Sequence, residues 1–246
     1  MKFGSLFSGV GGLDLGLEAA GWECLWQVEF DDFCNKILEM RFPHTKKYGD
    51  IKDVRTEELE RVDAIVGGFP CQPVSFAGRQ EGEGDERWLW PDFMRIITDL
   101  RPSFAVIENV VGLLHHGGAT VLNDLAKAGY DAEWYTIPAS AFGADHKRER
   151  IFIVAYHTSL GVEGVWPDGI EVPRALFEEV LSVRDSNGQW KSEPDLRRTA
   201  DGVSDWVDRL RALGNAVVPQ IAYWIGECIN ECVDKQERKA RPSQIG

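Results

Sequence analysis

The sequence lacks the features that mark several common classes of protein. None of its apolar runs approaches the roughly 20 residues that a membrane span needs, so no membrane-crossing segment is expected. The N-terminal segment becomes rich in glycine too early to resemble a secretion signal. These absences predict a cytoplasmic protein that does not associate with membranes.

Cysteine and positive charge are also scarce. The five cysteines are scattered and form no Cys-x-x-Cys pair or Cys/His cluster, so neither a disulfide framework nor a metal site is indicated. Lys and Arg number 27 against 40 Asp and Glu, for a net charge of −13. Because affinity for a phosphate backbone comes from basic side chains, this charge excludes a general nucleic-acid coat protein but not a local basic cleft.

Short apolar segments alternate with amphipathic ones, which predicts an α/β fold with a mostly parallel sheet. Strands are predicted at residues 2–7, 24–29, 64–68 and 104–108, at 151–156 as a central strand, and at a short segment ending at Asp50. Helices are predicted at residues 13–20, 32–41 and 219–233, followed by a frayed tail over 235–246. Residues 158–207 break the alternation and predict a small insert with one helix over 174–183.

A glycine-rich turn follows the first predicted strand. Phe7-Ser-Gly-Val-Gly-Gly-Leu13 places glycines before a helix, where backbone N–H groups can approach an anionic ligand. Alone, this turn is equally compatible with no ligand. Glu29 and Asp50, however, end the next two strands, where an acid can bind ribose hydroxyls. Since Lys and Arg do not cluster nearby, a nucleoside carrying a carboxylate, such as S-adenosylmethionine, fits better than a polyphosphate.

Three further motifs follow strands or precede them. Cys71 lies near two prolines, Pro70 and Pro73, after an apolar strand. A thiol becomes nucleophilic only as a thiolate, and an isolated cysteine is more often inert. Glu108 ends another apolar strand, where an unpaired carboxylate is costly to bury, although a helix cap or salt bridge would also explain it. Arg148 and Arg150 precede the strand over 151–156, where charged runs are usually solvated surface.

Taken in this order, the motifs resemble those of the DNA cytosine-C5 methyltransferase family. They are Phe-x-Gly-x-Gly-Gly, Pro-Cys-Gln, Glu-Asn-Val, Arg-x-Arg, and the Gly-Asn-Ala-Val-Val-Pro segment over 214–219. The resemblance implies a Rossmann-like class I S-adenosylmethionine-dependent methyltransferase sheet with a small target-recognition insert. It divides the chain into a catalytic and cofactor-binding domain (1–157), a reduced target-recognition segment (158–207) and a C-terminal return helix (208–246).

The resemblance also implies a reaction. A methyl group would pass from S-adenosyl-L-methionine, leaving S-adenosyl-L-homocysteine, to C5 of a cytosine flipped out of double-stranded DNA. Cys71 would add to C6, Glu108 would hold N3 and the exocyclic amine, and Arg150 with Arg148 would orient the base. No metal is required.

The resemblance implies more residues in contact with cofactor and DNA than in the reaction itself. Phe7 would stack on the adenine, Glu29 would bind the ribose, and Asp50 would bind the adenine amino group between apolar walls. The full set of implied cofactor contacts is Phe7, Gly9, Gly11, Gly12, Leu13, Glu29, Phe30, Asp50, Ile51, Pro70, Leu89, Asn215 and Ala216. The implied DNA contacts are Gln72, Ser75, Arg79, Arg197, Arg198 and Arg209.

Two features depart from the family pattern. His146 stands where the family usually has glutamine. Residues 158–207 are few for a recognition domain and hold 5 Lys or Arg against 10 Asp or Glu, which is unfavourable for reading DNA. The DNA target sequence is therefore expected to be short or loosely specified, or its recognition to depend on a partner. A restriction endonuclease is a further candidate partner, in a bacterial or phage-infected cell. The alternatives are a silent homologue that binds cofactor or a partner protein, and an RNA cytosine-C5 methyltransferase.

Overall fold

The computed structural model of the protein describes residues 1–70, 88–142, 147–167 and 217–240. Several residues singled out in the sequence lie outside these ranges. They include the predicted nucleophile, the family departure, two cofactor contacts and all six DNA contacts: Cys71, His146, Asn215, Ala216, Gln72, Ser75, Arg79, Arg197, Arg198 and Arg209. The helix predicted over 174–183 also lies outside the described residues.

Within the described ranges, seven strands form one mixed sheet in the order β3-β2-β1-β4-β5-β7-β6. The strands are β1 Lys2–Leu6, β2 Glu23–Val28, β3 Lys46–Tyr48, β4 Ala64–Gly67, β5 Phe104–Val110, β6 Tyr130–Pro138 and β7 Glu149–His157. The first five run parallel, whereas β7 runs antiparallel to both of its neighbours. The prediction of a mostly parallel α/β sheet is confirmed.

Six α-helices accompany the strands in the described part of the chain. They are α1 Gly12–Ala19, α2 Asp32–Arg41, α3 Trp90–Leu100, α4 Leu113–His116, α5 Gly118–Lys127 and α6 Pro219–Ala240. None of them is both long enough and apolar enough to cross a bilayer. Helices α3 and α5 bury apolar side chains against one face of the sheet, and α1 and α6 cover the other face. The result is a three-layer arrangement.

The long last helix corrects one prediction from the sequence. The helix was expected to end near Val233 and the chain to fray from Lys235, but α6 continues to Ala240. Polar contacts explain the extra turns. Lys235 pairs with Glu231 at 3.7 Å along the helix, and Gln236 Nε2 donates a hydrogen bond to the carbonyl of Gly161. Solvent-exposed polar residues therefore extend a helix that apolar periodicity alone would end earlier.

One strand prediction also needs correction, and another is confirmed but incomplete. The strand expected to end at Asp50 ends at Tyr48, because the Asp50 carbonyl accepts from the Asp53 N–H and its carboxylate accepts from the Lys52 N–H, which starts a turn. The apolar strand over 151–156 does occupy an interior position as β7, but its antiparallel direction and its partner β6 were not predicted.

Candidate active site

The glycine-rich turn connects β1 to α1 at the carboxyl edge of the parallel strands. Phe7, Gly9 and Gly11 all have positive φ angles, of 53°, 55° and 80°, and the Gly11 N–H donates to the Ser8 carbonyl at 2.9 Å. The Gly9 N–H points outward from this turn to Glu29 Oε2, at 2.7 Å. The turn and the acid at the end of β2 are therefore in direct contact.

Close packing explains the two glycines that follow. A side chain at Gly11 would strike the ring of Phe42, and one at Gly12 would strike the carbonyl of Val217. A side chain added at Gly9, in contrast, would meet no atom of the described residues within 4 Å. Gly9 is thus the glycine whose surface is open to a ligand. The contact with Val217, the residue after Ala216, brings the returning end of the chain to this turn.

The Glu29 carboxylate is shared between two backbone donors. Its second oxygen accepts from the Asp31 N–H at 2.7 Å, and burial raises the pKa of Glu29. The next side chain, Phe30, is 76% exposed. Each carboxylate oxygen can accept a second hydrogen bond, so Glu29 can also accept from hydroxyl groups of a ligand.

An apolar wall lies beside the turn. The Phe7 ring stacks on Phe93 with centroids 6.2 Å apart, and half-buried Leu89 joins the same apolar cluster as buried Ile51. Asp50 lies next to Ile51 in the sequence. An aromatic ring with apolar walls, together with one carboxylate after β2 and one in the loop after β3, suits a nucleoside. The residues present therefore fit the adenosine part of S-adenosyl-L-methionine. Leu13, in contrast, is buried in the core under the turn.

Glu108 and Arg150 form an ion pair at the end of β5. The β5–β7 register sets Arg150 opposite Val110, which places Glu108 diagonally across on the same face. Arg150 Nε lies 3.1 Å from Glu108 Oε1, and Glu108 is only 8% exposed. Burial raises the pKa of Glu108 to about 7, although the charges of Arg150 and Arg148 oppose this rise. The carboxyl can therefore carry a proton near neutral pH and donate it in a hydrogen bond.

The end of β4 is fixed against this pair. Asn109 is 2% exposed, and its Nδ2 donates to the Phe69 carbonyl at 3.1 Å while its Oδ1 accepts from the Val110 N–H. A side chain at Gly68 would strike Glu108 Oε2. Gly68, three residues before Cys71 in the sequence, thus lies directly against the carboxyl. The Glu-Asn-Val motif contains Asn109, but sequence reasoning assigned it no role.

Sequence reasoning also missed a buried carboxyl group under the glycine turn. Asp14 is fully buried in α1; it accepts from Gln27 Nε2 at 2.7 Å and from Ser5 Oγ at 3.1 Å. Ser8 Oγ in the turn donates in turn to Ser5 Oγ, at 2.9 Å. Burial raises the pKa of Asp14. The sequence signal that could have revealed Asp14 is its position, as an acidic residue among the apolar residues of a predicted helix.

A Rossmann-like sheet with a glycine turn after β1 and an acid after β2 is the architecture of a class I methyltransferase, and here a buried carboxyl–guanidinium pair lies near the end of β5. A family model described as C-5 cytosine-specific DNA methylase matches residues 1–195. The chain belongs to this family.

Individual relatives agree with the family. Type II methyltransferase M.FnuDI of Fusobacterium nucleatum is 37% identical over 194 residues, which cover 76% of this chain and 56% of the relative. Type II methyltransferase M.HhaI of Haemophilus parahaemolyticus is 32% identical over 168 residues, covering 66% and 51%. The chain spans about half the length of the curated relatives it matches.

Solved structures resemble the fold. One described as a DNA modification methyltransferase encoded within an E. coli prophage has a TM-score of 0.58 and 29% identity, covering 67% of this chain and 49% of that one. The Dnmt2 methyltransferase of S. pombe has a TM-score of 0.55 at 18% identity, covering 77% and 58%, which supports the fold alone.

Proposed function

We propose that the protein methylates C5 of a cytosine flipped out of double-stranded DNA, through a covalent adduct of Cys71 and with S-adenosyl-L-methionine as the methyl donor. The observation that carries the proposal is the position of Glu108. Its carboxyl is buried and paired with Arg150, and it lies against the strand end that leads into Cys71. Because burial raises its pKa to about 7, part of the carboxyl is protonated near neutral pH. A buried acid of this kind suits hydrogen bonding to a neutral base.

The residues around the glycine turn would hold the cofactor. Phe7 and Leu89 offer apolar surface to the adenine, Glu29 accepts from the ribose hydroxyls, and the backbone at Gly9 approaches the methionine end. Asp50 accepts from the adenine amino group. When bound, S-adenosyl-L-methionine supplies an electrophilic methyl group to a nucleophilic carbon.

The first chemical step would belong to Cys71 and Glu108. The Cys71 thiolate adds to C6 of the flipped base, forming an S–C6 bond as the C5–C6 double bond opens. Glu108 donates its proton to N3 in a hydrogen bond, which stabilises the electron density that the addition pushes into the ring. C5 becomes nucleophilic as a result, and Arg150 balances charge beside the base.

The second step would restore the aromatic ring. After C5 is methylated, it loses its proton to a base or water, and the electron pair of the C5–H bond reforms the C5–C6 double bond. The S–C6 bond breaks, so Cys71 leaves as a thiolate. Arg148, whose charge acts on Glu108 together with that of Arg150, would help to orient the base throughout.

The proposed substrate is double-stranded DNA, contacted by Gln72, Ser75, Arg79 and the basic residues Arg197, Arg198 and Arg209. The net charge of −13 favours few phosphate contacts and therefore a short or relaxed target, or a specificity partner. The names of the relatives as type II methyltransferases support a cytoplasmic role in restriction-modification, with a restriction endonuclease as a candidate partner.

Methyl transfer from labelled S-adenosyl-L-methionine tests the proposal. The protein is incubated with mixed-sequence duplex DNA, with tRNA and with no nucleic acid, and the digested nucleosides are analysed for 5-methylcytidine species. We expect 5-methyl-deoxycytidine from the duplex, and none with Cys71→Ala. Product from tRNA alone would favour an RNA methyltransferase, and cofactor binding without any product would favour a silent homologue; either result contradicts the proposal.

A further inference from the structure

Arg95 on α3 makes a three-point contact with the loop that follows β3. Its Nη2 donates to the Ile51 carbonyl at 2.9 Å, and its Nη1 donates to the Val54 carbonyl at 3.1 Å and to Thr56 Oγ1 at 3.2 Å. All three hydrogen bonds are partly buried. One guanidinium group therefore holds successive points of a single loop.

This loop carries one side of the proposed adenine site. Asp50 begins its turn, with the carboxylate accepting from the Lys52 N–H at 3.0 Å, and Ile51 follows as a buried apolar residue. The β3 strand ends at Tyr48, so Asp50 and Ile51 receive no positioning from strand pairing. Contacts from other elements must fix their location.

Helix α3 begins next to another residue of the proposed adenine site. The helix starts at Trp90, immediately after half-buried Leu89, which packs in the same apolar cluster as Ile51. Arg95 lies about one and a half turns further along the same helix. The hydrogen bonds of Arg95 to the Ile51 and Val54 carbonyls therefore tie the loop that carries Asp50 to the helix that follows Leu89.

The chemistry of the contact requires arginine. A guanidinium group presents several N–H donors in a rigid plane and can hold separate acceptors at once, whereas a lysine ammonium acts as a compact point charge on a flexible chain. Removing the guanidinium would also leave partly buried carbonyls without this donor, which is unfavourable. The loop would then relax to another conformation.

We infer that Arg95 is a positioning residue for recognition of the adenine amino group: it fixes the loop that carries Asp50 relative to the helix that follows Leu89. The inference rests on the proposed function, because it concerns the cofactor that function requires. Arg95 itself contacts neither cofactor nor DNA. It determines how well the site distinguishes adenine from a ring that lacks the 6-amino group.

Arg61 provides a matched control. Arg61 Nη1 donates to the Leu100 carbonyl at the far end of α3, at 3.3 Å, and contacts α3 away from the loop. Arg61→Gln removes a guanidinium from α3 without touching the Asp50 loop. Thr56→Val removes one of the three acceptors of Arg95 and leaves the other two.

Calorimetric binding of S-adenosyl-L-homocysteine and of its 6-oxo (inosine) analogue to the full chain tests the inference. A 6-oxo group presents an acceptor to the Asp50 carboxylate, so the wild type is expected to prefer the adenine form strongly. Arg95→Gln is expected to weaken binding of the adenine form by about tenfold, the loss of roughly one well-made buried hydrogen bond, and to reduce the preference towards unity. Arg95→Lys and Thr56→Val should have affinities and preferences between those of the wild type and Arg95→Gln. Arg61→Gln should match the wild type in both.

The possible results distinguish failure of the inference from failure of the proposed function. Unchanged affinity and preference in Arg95→Gln would overturn the inference, and so would an equal loss for both ligands with the preference intact, since that pattern indicates a purely structural role. If Arg95→Gln does not fold, the same criteria apply to Arg95→Lys and Thr56→Val. A wild type that binds neither ligand would instead contradict the proposed function.

Discussion

At the scale of single residues, the protonation state of Glu108 links the stability of the protein to its chemistry. Burial raises the pKa of Glu108 from an ordinary value of 4.5 to about 7. The folded protein therefore holds a proton that the unfolded chain releases between these two values. The contribution of Glu108 to the free energy of unfolding is full below pH 4.5 and is lost as the pH rises through about 7. The proton that stabilises the fold is the one proposed to hydrogen-bond N3.

The first prediction concerns the pH profile of Glu108→Gln. In the wild type, kcat/KM on duplex DNA should fall on the alkaline side of about pH 7, where the carboxyl loses its proton. Glutamine keeps an N–H donor that does not titrate, so the variant should lack this decline while its kcat/KM drops on the order of 100-fold. Steady-state rates between pH 5.5 and 9 check both effects. An unchanged alkaline limb in the variant would show that another group titrates.

The second prediction concerns Gly68→Ala. The added methyl group would strike Glu108 Oε2, so the carboxyl must turn away from its position beside Arg150. We expect a loss of kcat of about 10- to 100-fold, because small misplacements of a catalytic group have effects of this size, with little change in cofactor affinity. Gly49→Ala is the control, since its added methyl group meets no described atom within 4 Å. Equal activity in the two variants would contradict the assigned geometry.

At the scale of secondary-structure elements, the contact between α1 and α6 joins the two ends of the chain. Gly16 on α1 lies so close to α6 that a side chain there would strike the Pro219 carbonyl and Ala222. Further along, Trp22 Nε1 donates to Asn230 Oδ1 at 2.8 Å, and Asn230 Nδ2 donates to the Ala20 carbonyl at 3.0 Å. The last helix therefore buries the helix that follows the glycine turn.

The third prediction concerns Gly16→Ala. Helix propensity alone predicts a gain of about 1 kcal/mol for this change in a helix interior. The contact with α6 predicts the opposite sign, a loss of about 1–3 kcal/mol from overpacking. Urea unfolding followed by tryptophan fluorescence measures the difference, because Trp224 is buried on α6. Ala19→Ser, on the exposed side of α1, should stay within about 0.5 kcal/mol of wild type, and a stabilised Gly16→Ala would refute the packing.

The same elements show what the sequence can and cannot predict. Apolar runs locate β1, β4, β5 and β7, because this signal is local. The motifs point to Glu108 and Arg150, which the fold brings together as an ion pair, while their roles stay predictions. The direction of β7 depends on its pairing with β5 and β6, which is a property of tertiary structure. In the sequence, Arg95 looks like any other cation on an amphipathic helix. Two of its acceptors are backbone carbonyls about 40 residues away. Every residue has a backbone carbonyl, so the sequence does not show which ones accept from Arg95.

At the scale of the whole molecule, residues proposed to contact the cofactor and the flipped cytosine lie at one edge of the parallel sheet. The glycine turn follows β1, Glu29 follows β2, and Pro70 follows β4. Glu108 lies near the end of β5, the neighbour of β4 in the sheet. This edge is where doubly wound sheets bind their ligands. The body around it is acidic, with a net charge of −13, so the affinity for DNA should depend on a small number of cations and on the flipped base itself.

We propose that this edge of the sheet presents Cys71 to a flipped cytosine. This proposal is tested most directly with a mixed-sequence duplex that contains 5-fluorocytosine in place of cytosine, incubated with the protein and S-adenosyl-L-methionine and analysed on a denaturing gel. Fluorine cannot leave C5 as a proton does, so the Cys71 adduct should persist. We expect a denaturant-stable protein–DNA complex for the wild type and none for Cys71→Ser. A wild type that binds S-adenosyl-L-homocysteine but forms no such complex would contradict the proposal.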